Sequence, residues 1–208
     1  MPSIFKSRQD AGQKLALHVP PCDIAIAIPR GGIPIAEPIC QKYQIPLLLT
    51  FPRKLGAPNN PEFAFGAISE QGDAILNQAV IKHLKISQAH IDSCIQDELL
   101  EVQNRKNQYP SPEIAISDKT VILIDDGVAT GLTMLAAIKS LKSQSPKKII
   151  VAVPTASSDA ATLIQQEVEL VCLYQTDHFG SVGEYYKDFH QVSNREAMES
   201  LKAINKQF

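Results

Sequence analysis

Apolar positions along the chain fall into two alternating periods. Short continuous runs at Asp23–Ile28, Pro46–Phe51, Val121–Ile124, Lys148–Val153 and Val168–Leu173 are rich in Ile, Val and Leu. Runs of this length, bounded by polar or breaking residues, predict strands buried on both faces, as in a parallel sheet. Helical spacing separates them. Ala11 and Leu15 open a helix over 8–18 that Pro20-Pro21 stops, and Ile35, Ala36, Ile39 and Cys40 mark a second. A short helix over 77–85 precedes a long amphipathic one capped by Ser87, with Ile91, Cys94, Ile95, Leu99 and Val102 on one stripe. Pro110-Ser111-Pro112 breaks it. Met134–Ile138 and a segment from Pro154 to about Gln166 complete the helical set. Phe63–Ser69 and Ala74–Leu76 around Gln71-Gly72-Asp73 predict a small hairpin. Strands that alternate with helices predict an α/β fold with a mainly parallel, doubly wound sheet.

Length and composition narrow the function classes. The 208 residues suit one domain spanning 1–208, with a core over roughly 20–175, a hood over roughly 176–193 and helices at both ends. Hydrophobic content of 44%, charged content of 20% and net charge −2 offer no basic surface for nucleic acid and no membrane span. Met1–Arg8 lacks the apolar core of a signal peptide, so a cytoplasmic location is expected. Cys22, Cys40, Cys94 and Cys172 are widely spaced and are expected to be reduced thiols. No pair of the five His has recognised metal spacing, and no protein-ligated metal is expected.

The chemistry concentrates after the Val121–Ile124 run. Asp125-Asp126 stand at its carboxyl end, followed by Gly127-Val128-Ala129-Thr130-Gly131-Leu132-Thr133 and then helical spacing. A strand-to-helix turn of an open α/β sheet is where ligands sit. Loop amides and the helix N-terminus suit a phosphate, and Thr hydroxyls add neutral donors. The carboxylates would repel that phosphate but accept from a vicinal diol such as a ribose. The bland alternative is that acidic residues and Gly often follow buried strands. The ordered pattern fits neither a Walker loop nor a dinucleotide fingerprint.

This stretch resembles the phosphoribosyl pyrophosphate (PRPP) signature of the type I phosphoribosyltransferases. The resemblance implies their α/β, Rossmann-like fold with a small C-terminal hood. It assigns the ribose hydroxyls to Asp125 and Asp126, and the 5′-phosphate to Gly127, Val128, Ala129, Thr130, Gly131 and Thr133. Three weaker motifs follow the family's order. Arg30-Gly31-Gly32 ends the first strand; its glycines permit close backbone approach and its cation suits phosphate oxygens, although a tight turn with a solvated Arg fits equally. It is similar to the family's pyrophosphate loop, which implies a cis peptide between Pro29 and Arg30. Pro52–Glu62, with three Pro and adjacent Arg53 and Lys54, reads as a long loop. It resembles the flexible catalytic loop, which would bring both cations over the pyrophosphate; a solvated surface loop is the alternative. Phe179, Val182 and Glu184 lie among aromatics and glycines similar to the hood that stacks on the base, and an aromatic mini-core at the sheet edge fits them equally.

The activity implied is transfer of the 5-phosphoribosyl group from PRPP to a nitrogenous acceptor of the nucleobase kind, with magnesium carried by PRPP. Arg53, Lys54, Asp125 and Asp126 would be catalytic, and Arg30, Gly31, Gly32, Arg53 and Lys54 would hold pyrophosphate. A homodimer is expected, with the long helix given to packing or dimerisation. In the 6-oxopurine enzymes an Asp stands where this chain has Ala129, which implies poor use of hypoxanthine and guanine unless His178 or Glu184 replaces it. A regulatory protein that senses PRPP or nucleotides on the same fold is the second reading. A sugar-phosphate phosphatase, which wants an aspartyl nucleophile and a Lys at another strand end, is a distant third.

Overall fold

The computed structural model describes residues 4–58, 60–109, 112 and 114–208. Expectations for Met1-Pro2-Ser3, for Asn59 and for the Pro110-Ser111 break lie outside the described residues. The strands run in chain order as β1 (Ile24–Ala27), β2 (Leu47–Leu49), β3 (Arg53–Ala57), β4 (Asn60–Ile68), β5 (Ala74–Leu76), β6 (Thr120–Ile124), β7 (Lys148–Ser157) and β8 (Glu169–Thr176). The α-helices are α1 (Arg8–Ala16), α2 (Gly32–Tyr43), α3 (Gln78–Leu84), α4 (Gln88–Gln108), α5 (Leu132–Lys142), α6 (Ser158–Gln165) and α7 (Asn194–Ile204). Two compact units result. The first takes Met1–Thr50, Ser111–Gly131 and Gln144–Phe208, and the second takes Phe51–Pro110 and Leu132–Ser143.

The first unit carries the expected parallel α/β sheet, in the order β2-β1-β6-β7-β8. All four residues of β1 are buried, as are Val121–Ile124 of β6 and most of β7. This burial on both faces explains why their sequences read as unbroken apolar runs. Helices α1 and α2 pack on each other, α2 lies against β1 and β6, and α6 lies against β7 and β8. Gly12 permits the α1–α2 approach: a methyl group there would stand 2.6 Å from the Ile35 carbonyl oxygen. Chain order reverses between β1 and β6, the arrangement that opens a crevice at the strands' carboxyl ends.

One boundary differs from the sequence expectation. Pro154–Ser158 is expected to begin a helix, yet β7 continues through Ser157. Pairing wins over local propensity here, because Thr155, Ala156 and Ser157 align with Tyr174, Gln175 and Thr176 of β8. Ser157 then caps α6, its hydroxyl oxygen accepting from the Ala160 amide at 3.0 Å.

The second unit is built on an antiparallel sheet, β3-β4-β5, with α3, α4 and α5. The expected β4–β5 hairpin is present, with Gly66, Ala67 and Ile68 opposite Leu76, Ile75 and Ala74. Within the expected loop Pro52–Glu62, Arg53–Ala57 instead forms β3 and Asn60 begins β4, the two strands paired antiparallel and irregular around Gly56. Leu55 and Ala57 alternate inward on β3, so burial supplies the strand signal that the Pro and Gly content obscures. Leu55, Phe65, Ile68, Ile91 and Val102 are among the residues that fill this unit's core. Helix α5 packs on β3, β4 and β5 rather than within the first unit.

Candidate active site

The parallel pairing of β1 and β6 aligns Ala27 with Ile124 and sets two strand-to-helix turns side by side. The Ile28 amide donates to the Ile124 carbonyl at 2.9 Å, carrying that contact past the strand ends. The first turn holds Arg30, Gly31 and Gly32, with a cis peptide between Pro29 and Arg30. The second holds Asp125 and Asp126. They touch: a methyl group on Gly31 would stand 2.0 Å from Asp126 Oδ2, and one on Gly32 would stand 2.6 Å from the Ile124 carbonyl oxygen. No side chain larger than hydrogen fits between the two turns at these positions.

Arg8, at the start of α1, completes the acidic pair. Its Nε donates to Asp126 Oδ2 at 2.7 Å, and the two side chains are 10% and 15% exposed. The Asp126 amide donates to Asp125 Oδ1 at 2.8 Å. Burial pushes the Asp125 carboxyl well above the ordinary aspartate range, and the Asp126 charge adds to the shift. Burial raises Asp126 as well, while Arg8 pulls it back toward the ionised form. The Tyr186 hydroxyl donates to the Asp126 carbonyl at 2.5 Å.

The following loop is anchored to β7. The Val128 amide donates to the Thr155 carbonyl and its carbonyl accepts from the Ser157 amide, each at 3.0 Å. The Ser157 hydroxyl donates to the Ala129 carbonyl at 2.6 Å. Val128 is therefore buried, whereas Ala129 and Thr130 form an exposed tip. Gly131 turns the chain with φ +80, a conformation that favours glycine. The loop's last residues, Leu132 and Thr133, open α5.

The hood places its residues in an aromatic cluster. Phe179 stacks on Tyr185 with centroids 4.9 Å apart, and Tyr174 meets the same ring at 5.5 Å. Val182 closes over Gly127, where an added methyl group would stand 2.6 Å from Val182 Cγ1. Glu184 is exposed and accepts from the Ser181 hydroxyl at 3.2 Å. His178 is also exposed.

Of the residues expected from sequence, Arg30, Gly31, Gly32, Asp125–Gly131, Phe179, Val182 and Glu184 belong to the first unit. Arg53, Lys54 and Thr133 belong to the second. Arg53 lies on β3 and its Nε donates to Glu98 Oε2 of α4 at 2.6 Å, while Lys54 is exposed. Arg30 Nη1 donates to Asn194 Oδ1 at 3.0 Å, on the first residue of α7. Burial pushes Cys40 up to about 12 and Cys22 and Cys172 up to about 11, so these thiols are poor nucleophiles. Sequence reasoning missed Arg8. Nothing near it in the chain marks its role, because its partner Asp126 lies 118 positions away.

A model of the phosphoribosyl transferase domain matches residues 22–189, which include both turns and most of the hood. The chain belongs to the phosphoribosyl transferase family. Two Mycobacterium tuberculosis proteins named provisionally as phosphoribosyl transferases are 32% identical over 212 residues, covering 99% of this chain and 48% of theirs. The chain thus spans about half the length of those relatives. The crystal structure of TT1426 from Thermus thermophilus is 32% identical, covers 95% of this chain and 97% of its own, and superposes with a TM-score of 0.77. The purine phosphoribosyltransferase of Pyrococcus horikoshii shares the fold at 15% identity, with a TM-score of 0.51 and coverage of 93% and 99%. Among the described residues, no helix is long and apolar enough to cross a membrane.

Proposed function

We propose that the chain acts as one phosphoribosyltransferase domain over 1–208, moving the 5-phosphoribosyl group from PRPP to a nitrogenous acceptor and releasing pyrophosphate. The observation that carries this reading is the contact of the Arg30-Gly31-Gly32 turn with Asp126, supported by family membership. Asp125 and Asp126 accept from the ribose hydroxyls and favour the positive character that builds on the sugar. The amides and hydroxyls of Gly127–Thr133 hold the 5′-phosphate. Arg30 and the Gly31-Gly32 backbone receive the pyrophosphate, and the resemblance assigns Arg53 and Lys54 to it as well. Magnesium carried by PRPP would withdraw charge from the leaving group. The acceptor nitrogen is the nucleophile, so no covalent protein intermediate is needed. Positioning and water exclusion supply the remaining rate. Phe179 and Val182 flank the acceptor, with Glu184 nearby. A cytoplasmic homodimer completes the reading.

The test incubates the protein with PRPP, magnesium and a panel of adenine, uracil, orotate, hypoxanthine and guanine, and follows pyrophosphate. Release with one acceptor supports transfer; tight PRPP binding without release on any acceptor supports the sensor instead. Within that panel hypoxanthine and guanine are expected to be poor, because Ala129 can neither accept nor donate a proton at the loop tip. Efficient turnover of either base would overturn this expectation.

Changing Arg53 and Lys54 together to alanine should lower turnover about tenfold or more, as loss of charge opposite a leaving group does. The melting temperature should move little, since the Arg53–Glu98 pair is partly exposed, at 28% and 24%. Wild-type turnover in the double variant would take the ribbon out of the mechanism.

A further inference from the structure

We infer that Arg8 is a positioning residue that fixes the sugar-binding carboxylate Asp126 and joins it to the hood, an inference that rests on the phosphoribosyl-transfer reading. Three contacts carry it. Arg8 Nε donates to Asp126 Oδ2 at 2.7 Å, which fixes the orientation of the carboxylate. Arg8 Nη1 donates to the His190 carbonyl at 2.8 Å. The guanidinium carbon stands 3.8 Å from the centroid of the Phe189 ring. Phe189 in turn stacks on Tyr186 at 5.0 Å, and the Tyr186 hydroxyl returns to the Asp126 carbonyl. The contacts close a ring: Arg8, Phe189, Tyr186, Asp126.

This ring is held from the chain's beginning. The Phe5 amide donates to the Tyr185 carbonyl at 2.9 Å, the Lys187 amide to the Phe5 carbonyl at 2.8 Å, and the Asp188 amide to the Lys6 carbonyl at 3.0 Å. The short ladder fixes where α1 starts, and hence where Arg8 stands. Lysine cannot replace this geometry, because only a planar guanidinium both donates in two directions and stacks on a ring.

The electrostatic consequence is equally local. Asp125 and Asp126 are neighbours at a desolvated strand end, where two carboxylates repel and one tends to keep a proton. The ionisable groups that face the pair are Arg8 from α1 and Tyr186 from the hood, and Asp188 and His190 stand beside Arg8. Of these, Arg8 is the cation bonded to the pair. Arg8 draws Asp126 toward the ionised form, the form that accepts from a diol hydroxyl.

The test uses the full chain with Arg8→Met and Arg8→Lys. Calorimetry measures PRPP–magnesium affinity against pH, and carboxyl carbon NMR follows the aspartate titrations in the ligand-free protein. Arg8→Met should weaken PRPP about tenfold near neutral pH, the scale of one charge-assisted hydrogen bond. The affinity should recover as pH rises, and the titration of the pair should move upward. Arg8→Lys should hold the titration nearer wild type yet stay several-fold weaker for PRPP, because charge remains while the fork and the stack are lost. A role confined to folding would lower the melting temperature of both variants without moving either the titration or the affinity, and that result overturns the inference. If Arg8→Met does not fold, wild-type affinity in Arg8→Lys overturns it alone. Should the unaltered protein not bind PRPP, the phosphoribosyl-transfer reading falls, while the ligand-free titration still decides the coupling: a shift on removing Arg8 supports it and none refutes it.

Discussion

Changing Asp125 and Asp126 together to asparagine is expected to weaken PRPP binding or turnover by about tenfold at the least. Each carboxylate that accepts from a ribose hydroxyl forms a charge-assisted bond worth about 1.5–3 kcal/mol, and about 1.4 kcal/mol is already a factor of ten. The amides preserve shape and one acceptor oxygen each, so the loss reports charge rather than packing. Stability is also affected. Asp126→Asn leaves the largely buried Arg8 without its counter-charge, and an uncompensated buried charge is costly. The melting temperature of the double variant therefore separates the two effects. Activity equal to wild type in a folded double variant would remove the ribose assignment.

The second large effect is expected from Gly31→Ala, a change of one methyl group. The added carbon would stand 2.0 Å from Asp126 Oδ2 and 2.5 Å from its carboxyl carbon, far inside van der Waals contact. Either the turn retreats from β6 or the carboxylate rotates away and leaves Arg8. Both outcomes separate the pyrophosphate-type turn from the acidic pair, so PRPP affinity should fall about tenfold or more, as when one charge-assisted contact is lost. Gly32→Ala meets backbone instead, the Ile124 carbonyl oxygen at 2.6 Å, and should destabilise the fold as well as the site. Calorimetry with PRPP and a thermal melt on both variants check this. An affinity for PRPP in Gly31→Ala matching wild type would show that the contact of the two turns does not bear on binding.

The parallel sheet and the acidic loop were legible because their signals are local. A strand buried on both faces must be apolar throughout, and Val121–Ile124 is; the carboxylates and small residues after it are adjacent in sequence. The Pro29–Arg30 cis peptide, present here, was legible only through the resemblance of Arg30-Gly31-Gly32 to a family loop. Arg8 was opaque for the opposite reason. Its partner Asp126 lies 118 positions away and its stacking partner is Phe189, so only the folded chain joins them. The β3–β4 ribbon was obscured because Pro, Gly and Asn mark hairpins and open loops alike, and the deciding factor is the burial of Leu55 and Ala57. The extension of β7 past Pro154 was set by β8, which no local propensity reports. The division into two units was hidden for a related reason. The second unit is assembled from Phe51–Pro110 and Leu132–Ser143, two separate stretches of the chain.

The central claim is that the turns after β1 and β6 form one PRPP site, and a direct binding measurement tests it. Titrating PRPP with magnesium into the unaltered protein, and repeating the titration with Gly31→Ala and with Asp125→Asn plus Asp126→Asn, measures that site alone, without reference to the acceptor. The account predicts saturable binding at one site per chain, weakened about tenfold or more in both variants. Absence of binding to the unaltered protein, or equal affinity in all three, would contradict it.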